Sequence, residues 1–244
     1  MKKIFFTIIL FCFCNYSFAS IEQDKATELQ NEWDRISFLI KDKKQQKKEF
    51  HKLSEIAKIY SVKYPNSADI KAWAGIIIST EAGFYKLNIP KALKTVNAAK
   101  EILDEGLAID PGALNGGIYS SLGLMYFQVP GKPIGFGDKQ LAENFLLKGI
   151  ELSDNGMIAN FFAGQFYFDQ KDYQKAMNYF ETAKTGKFQA NRELAKEGTL
   201  LQINQWIEKT KVKFIEETYK ETYTCSLELY LKIFIKILKQ VSIL

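Results

Sequence analysis

A single histidine, three cysteines and five prolines in 244 residues leave little material for chemistry or covalent bracing. His51 stands in a Lys-rich amphipathic stretch with no cysteine or second histidine beside it, so a zinc site or a Ser-His-Asp triad has nothing local to assemble from. No G-x-S-x-G elbow, H-E-x-x-H pair or G-x4-G-K-[ST] phosphate loop occurs. Gly135-Phe136-Gly137-Asp138-Lys139 lacks the preceding strand and the Lys-Ser/Thr pair of such a loop, and reads as a turn in which Asp138 caps the next helix. Glu81, Glu101, Asp104 and Glu105 cluster in sequence, but helical spacing makes them a solvated face. The expectation is a protein without catalytic residues, metal or cofactor.

Charge of one sign is also lacking. Lys2-Lys3, an apolar run over 4–14 and Ser17-Phe18-Ala19 read as a signal peptide over 1–19 that directs the chain to a periplasm. The run is too short for a membrane span. Phe precedes both Cys12 and Cys14, where a lipid-modification site wants a small residue. Removing Lys2 and Lys3 with this leader lowers the formal charge from +5 to +3, which is no nucleic-acid footprint. It also leaves Cys225 without a partner, so no intrachain disulfide can form and the core must hold the fold.

The chain does carry a pattern written twice. Asn160, Ala163, Gly164 and Tyr167 are followed by Ala176, Phe180 and Ala183; Tyr119, Leu122, Gly123 and Tyr126 are followed by Ala142, Leu146 and Gly149. Small residues at these spacings mark helix crossings, because contacting axes lie only about 8–10 Å apart. A third copy is read as Trp73, Ile76, Ile77 and Thr80, then Ala99, Leu103 and Gly106, closing at Asp110-Pro111. The pattern resembles the tetratricopeptide (TPR) repeat, W-x2-L-G-x2-Y then A-x3-F, which implies an all-α, right-handed helical-hairpin solenoid. The repeats then occupy 68–186, in units of about 70–113, 116–156 and 157–188, behind an N-terminal helical pair over 20–67. Trp73, Gly123, Tyr126, Ala142, Gly164, Tyr167, Ala176, Phe180 and Ala183 are the packing positions.

The units differ in their connections. Nine residues separate Tyr167 from Ala176, sixteen separate Tyr126 from Ala142, and nineteen separate Thr80 from Ala99. The excess over 129–138 holds two Pro and three Gly and reads as a shaped loop. A lengthened first unit, a glycine-rich bridge and Gly137-Asp138-Lys139 before Ala142 resemble the TPR-fold T component of TRAP solute transporters, over about 72–183. That resemblance implies an accessory that binds a transported solute.

In this architecture the first helices of the units line the concave groove. The positions read as inward are Phe161, Gln165, Phe168 and Asp169; Ser120, Leu124, Phe127 and Gln128; and Lys71, Ala74, Ile78, Glu81 and Ala82. Such a lining suits a protein or peptide segment, or a small amphiphile. Beyond the repeats, 187–224 reads as capping helices and 225–244 as a separate apolar, basic tail helix. Docking of that tail on the solenoid is expected over membrane contact. The function expected is a periplasmic, non-catalytic binding or scaffold protein.

Overall fold

The computed structural model describes residues 21–241 apart from residue 86, with side-chain surroundings through Lys220. The leader read at 1–19 lies outside the described residues. Among the described residues nine α-helices follow in order: α1 (21–38), α2 (Lys43–Lys63), α3 (Ala68–Ala82), α4 (Ile89–Ile109), α5 (Ala113–Gln128), α6 (Lys139–Leu152), α7 (Met157–Asp169), α8 (Tyr173–Thr185) and α9 (Glu193–Val241). The described residues form no named strand. Hairpins α1/α2, α3/α4, α5/α6 and α7/α8 stack in sequence order, with α9 after the last.

The second helix of each hairpin starts on an Asp or Asn. Asp42 accepts from the N–H of Gln45, Asn88 from Lys91, Asp138 from Gln140 and Leu141, and Asp172 from Lys175. These caps satisfy donors that the first turn cannot pair internally. In α4 a proline in the first turn adds a pre-set φ. The first helices α3, α5 and α7 have no side-chain cap; their register is set by packing.

That packing repeats closely. In each of the last three hairpins a glycine of the first helix meets a large side chain of the second: Gly75 faces Leu103, Gly123 faces Leu146 and Gly164 faces Phe180. A Cβ on these glycines would lie 2.4, 2.7 and 2.5 Å from its neighbour. Ala99, Ala142 and Ala176 lie four residues before the large side chain, and Gly106, Gly149 and Ala183 three after it; all are buried. The second helix thus presents a small–large–small row on one face.

The repetition corrects the first unit. The crossing glycine is Gly75, two residues before the Ile77 that the sequence alignment equates with Gly123. Ile78 therefore takes the place of Tyr126 and Tyr167, and Trp73 packs instead toward α1, 6.2 Å from the Trp33 ring. The first connection is longer than it looked, and most of its excess is helix: α4 has 21 residues against 14 in α6 and 13 in α8. The loop 129–138 folds back on that added length. Gly135 sits by Leu93, and Lys100 lies over the Tyr126 and Phe136 rings.

The end of the chain also differs from expectation. The cap and tail are one helix of 49 residues, about 70 Å long at 1.5 Å per residue. No Gly or Pro follows Gly198, so nothing in the backbone breaks it. Ile203 and Ile207 bury against the last hairpin. Val212, Phe214, Ile215 and Tyr219 are exposed, so the helix has left the array by that point; the side chains of the tail read at 225–244 lie outside the described ones.

Candidate functional site

With the corrected register, four rows run across α3, α5 and α7. Ala72, Ser120 and Phe161 are buried. Ile76, Leu124 and Gln165 are half-buried, as are Ser79, Phe127 and Phe168. In the last row Thr80 is half-buried, while Gln128 and Asp169 are exposed. Of the residues read as groove lining, Ser120, Phe161, Ile78 and Glu81 are thus closed to a ligand. So are Lys71, Ala74 and Ala82. The first-unit residues fail because the two-residue slip turns them toward α2, α4 and α5. Ser120 fails because its helix turn lies against Gly149, and Phe161 because its ring packs 6.0 Å from Phe180.

The first and last helices close this face. Arg192 donates to both carboxylate oxygens of Asp34, at 2.9 and 2.6 Å, and both side chains are nearly buried. The same guanidinium lies 5.1 Å over the Trp73 ring. Six residues on, Gly198 lets the Phe38 ring lie where a Cβ would be. The link 186–192 reaches this contact past the start of α7, where the Met157 N–H donates to the Lys187 carbonyl at 2.8 Å. At the far end the Trp206 ring stands edge-on to Phe168, 5.1 Å away, and covers part of the α7 contribution. The part of the inner face left accessible centres on α5.

Under the link lies a cavity of about 260 Å³. Gln23, Thr27 and Gln30 line it from one face of α1, Asp69 and Trp73 from α3, Asp110 and Asn115 from the α4–α5 turn, and Gln189 from the link. Gln30 is 7% exposed, and among the described residues nothing hydrogen-bonds to its carboxamide. The turn below is held in an unusual backbone form: Leu114, Asn115 and Gly116 all have left-handed φ values of 50°, 51° and 78°. Leucine rarely adopts that form; here its side chain packs into the core beside two clusters. Burial pushes the Asp69 carboxyl above its ordinary 3.8; the Leu114 N–H pulls it down, and the charge of Asp110 adds to the rise.

A second polar cluster joins α2 to α3. His51 Nδ1 lies 2.7 Å from Glu81 Oε1, and the Tyr85 hydroxyl donates to the same oxygen. Burial pushes the Glu81 carboxyl up, but the Ser54 and Tyr85 hydroxyls and His51 outweigh it and hold the carboxyl below its ordinary 4.5. Ser54 Oγ is buried and outside hydrogen-bond geometry, so it acts on Glu81 as a nearby dipole. Burial and the Glu81 carboxylate push Tyr85 up to about 12. The cluster ties two helices together. Among the described residues no group of His, Cys, Asp or Glu could hold a metal, and no helix is long and apolar enough to cross a membrane.

Sequence reasoning missed Gln30, Asp34, Asp69, Arg192 and Gly198. Only the helical spacing of Gln23, Thr27, Gln30 and Asp34, a polar stripe on an otherwise core-bound helix, pointed to an inward polar face.

The fold and this inner face define an all-α, TPR-like helical-hairpin solenoid. No protein-family model and no curated protein sequence matches the chain. A solved structure described as "Functional Characterization of Pseudomonas Aeruginosa pilF" aligns with 81% of this chain and 98% of its own, at 15% identity and a TM-score of 0.31. The class stated here rests on the three in-register hairpins of this chain.

Proposed function

We propose that this chain is a non-catalytic binding protein of the periplasm that holds a protein or peptide segment on its inner face. The observation that carries the reading is the pair of half-buried rows Ile76, Leu124, Gln165 and Ser79, Phe127, Phe168. They offer apolar and aromatic contact with a few amide and hydroxyl partners, the mixture that short segments use for recognition. The periplasmic address rests on the leader-like segment 1–19. The alternative of a solute-binding transporter accessory rests on the sequence resemblance alone.

The test places a photo-crosslinking residue at Leu124 or Phe127 in cells, with Leu147 on an exposed outer position as control. Discrete adducts from the inner sites alone support the reading. Equal labelling from Leu147 refutes it. Fractionation of the same cells checks the address: protein confined to the cytoplasm overturns that part.

A further inference from the structure

We propose that the cavity under the link 186–192 binds a small molecule carrying a primary ammonium beside a carbonyl oxygen, the group found on an amino-acid amide or at the amino end of a peptide. This goes beyond the inner-face reading and does not depend on it, because none of the residues in the inner rows lines the cavity.

Two observations meet here. The first is two carboxylates without a countercharge. Asp69 and Asp110 both line the space, and no lysine or arginine acts on Asp69. Arg192, the nearest cation in the link, is committed to Asp34. The start of α3 and the end of α4 lie at the same place, so their opposite poles offset each other. What remains is a site for one positive charge; Asp110 Oδ1 already accepts from the Gly112 N–H, and its second oxygen is left for a ligand.

The second observation is independent of charge. Gln30 is more than nine-tenths buried, opens on the cavity, and has no partner among the described residues. Its carboxamide N–H2 faces open space in the cavity, where a carbonyl oxygen entering the site would accept from it. The Trp73 side chain, 5% exposed, lines the same cavity. Two carboxylates and a carboxamide donor lining one space fit a ligand with an ammonium and a carbonyl close together. A free carboxylate in place of the carbonyl would be repelled by Asp69 and Asp110. The volume is near the lower end of ligand sites and suits a molecule of amino-acid size better than a bare ion.

The test is titration of the full chain with L-alaninamide, followed by calorimetry. N-acetyl-L-alaninamide lacks the ammonium, propylamine lacks the carbonyl, and magnesium chloride supplies charge alone. Saturable 1:1 binding of alaninamide is expected, with each of the other three at least about tenfold weaker, as loss of a charge-assisted hydrogen bond implies. Asp69→Asn is expected to weaken alaninamide about tenfold. Gln30→Leu should do the same for alaninamide and leave propylamine unchanged, which a merely unfolded site would not. Should Gln30→Leu fail to fold, the ligand series on the native chain decides. A trialanine amide that binds more tightly than alaninamide identifies a peptide terminus as the source; one that is excluded identifies a free small molecule. Equal binding of the N-acetyl compound, stronger binding of magnesium, or no alaninamide binding tighter than roughly 10 mM overturns the proposal. A Leu124→Glu variant that loses inner-face adducts but keeps alaninamide binding separates the two readings.

Discussion

Gly164→Ala adds one methyl group where the structure has no room for it. The new Cβ would lie 2.5 Å from Cδ1 and Cε1 of Phe180, well inside contact distance. The ring cannot retreat easily: it is fully buried, with Phe161 at 6.0 Å and Trp206 at 5.8 Å. Overpacking of this kind costs about 1–3 kcal/mol. Alanine returns up to about 1 kcal/mol through its better helix propensity. A net loss of about 1–2 kcal/mol lowers Tm by roughly 2–8 °C for a chain of this size. Differential scanning calorimetry reads it directly. Gly83→Ala is the matched control, since Gly83 has φ −59° and nothing within 4 Å of a Cβ. It should be neutral or gain about 0.4–1 kcal/mol. Combining Gly164→Ala with Phe180→Leu should cost less than the two changes summed, because the smaller side chain makes room. A Gly164→Ala protein that melts at or above the native temperature refutes the crossing, and with it the register that places the inner rows.

Three other outcomes follow from the same contacts. Arg192→Ala strands the nearly buried Asp34 carboxylate, and urea titration should show a loss of about 3–5 kcal/mol. Glu81 has a lowered folded pKa, so its stabilisation is present above the unfolded value and disappears as pH falls through the folded one; Glu81→Gln should therefore destabilise at neutral pH and flatten the stability profile below pH 4.5. Truncation after Lys220 removes the part of α9 that follows the exposed Val212, Phe214, Ile215 and Tyr219, and the melting free energy should move by no more than about 0.5 kcal/mol.

What could be seen in the sequence was whatever packing forces into local spacing. Ala142, Leu146 and Gly149 must recur as Ala176, Phe180 and Ala183, since each helix pair has to approach at the same depth. The first helix of the first unit misled because Trp73 stands where a repeat tryptophan is expected, while the crossing is made by Gly75. That substitution of one anchor for another shifts the helix by two residues and turns Ile78 and Glu81 from the groove into the core. The tail misled for a different reason: composition changes near residue 225, but a helix ends only where the backbone is interrupted, and nothing there interrupts it. The pairing of Asp34 with Arg192, 158 residues apart, is written in no local spacing, although Asp34 itself stands in the polar stripe of α1.

That last contact decides what kind of ligand the inner face can take. In an open solenoid a peptide can run from one end of the concave surface to the other. Here Asp34, Arg192, Phe38 and Gly198 join the first helix to the ninth, and Trp206 covers Phe168. An extended segment crossing every unit would have to displace a buried ion pair and a close ring contact, at a cost of several kcal/mol. A segment that reaches only Leu124, Phe127 and Gln128 pays no such cost. On the proposed reading the inner face favours a short insert over α5, and the Arg192→Ala variant gives a way to see it. If closure limits the length bound, loosening α9 should admit longer peptides while leaving the affinity of short ones unchanged. Equal length preference in both proteins would mean that closure has no part in selection.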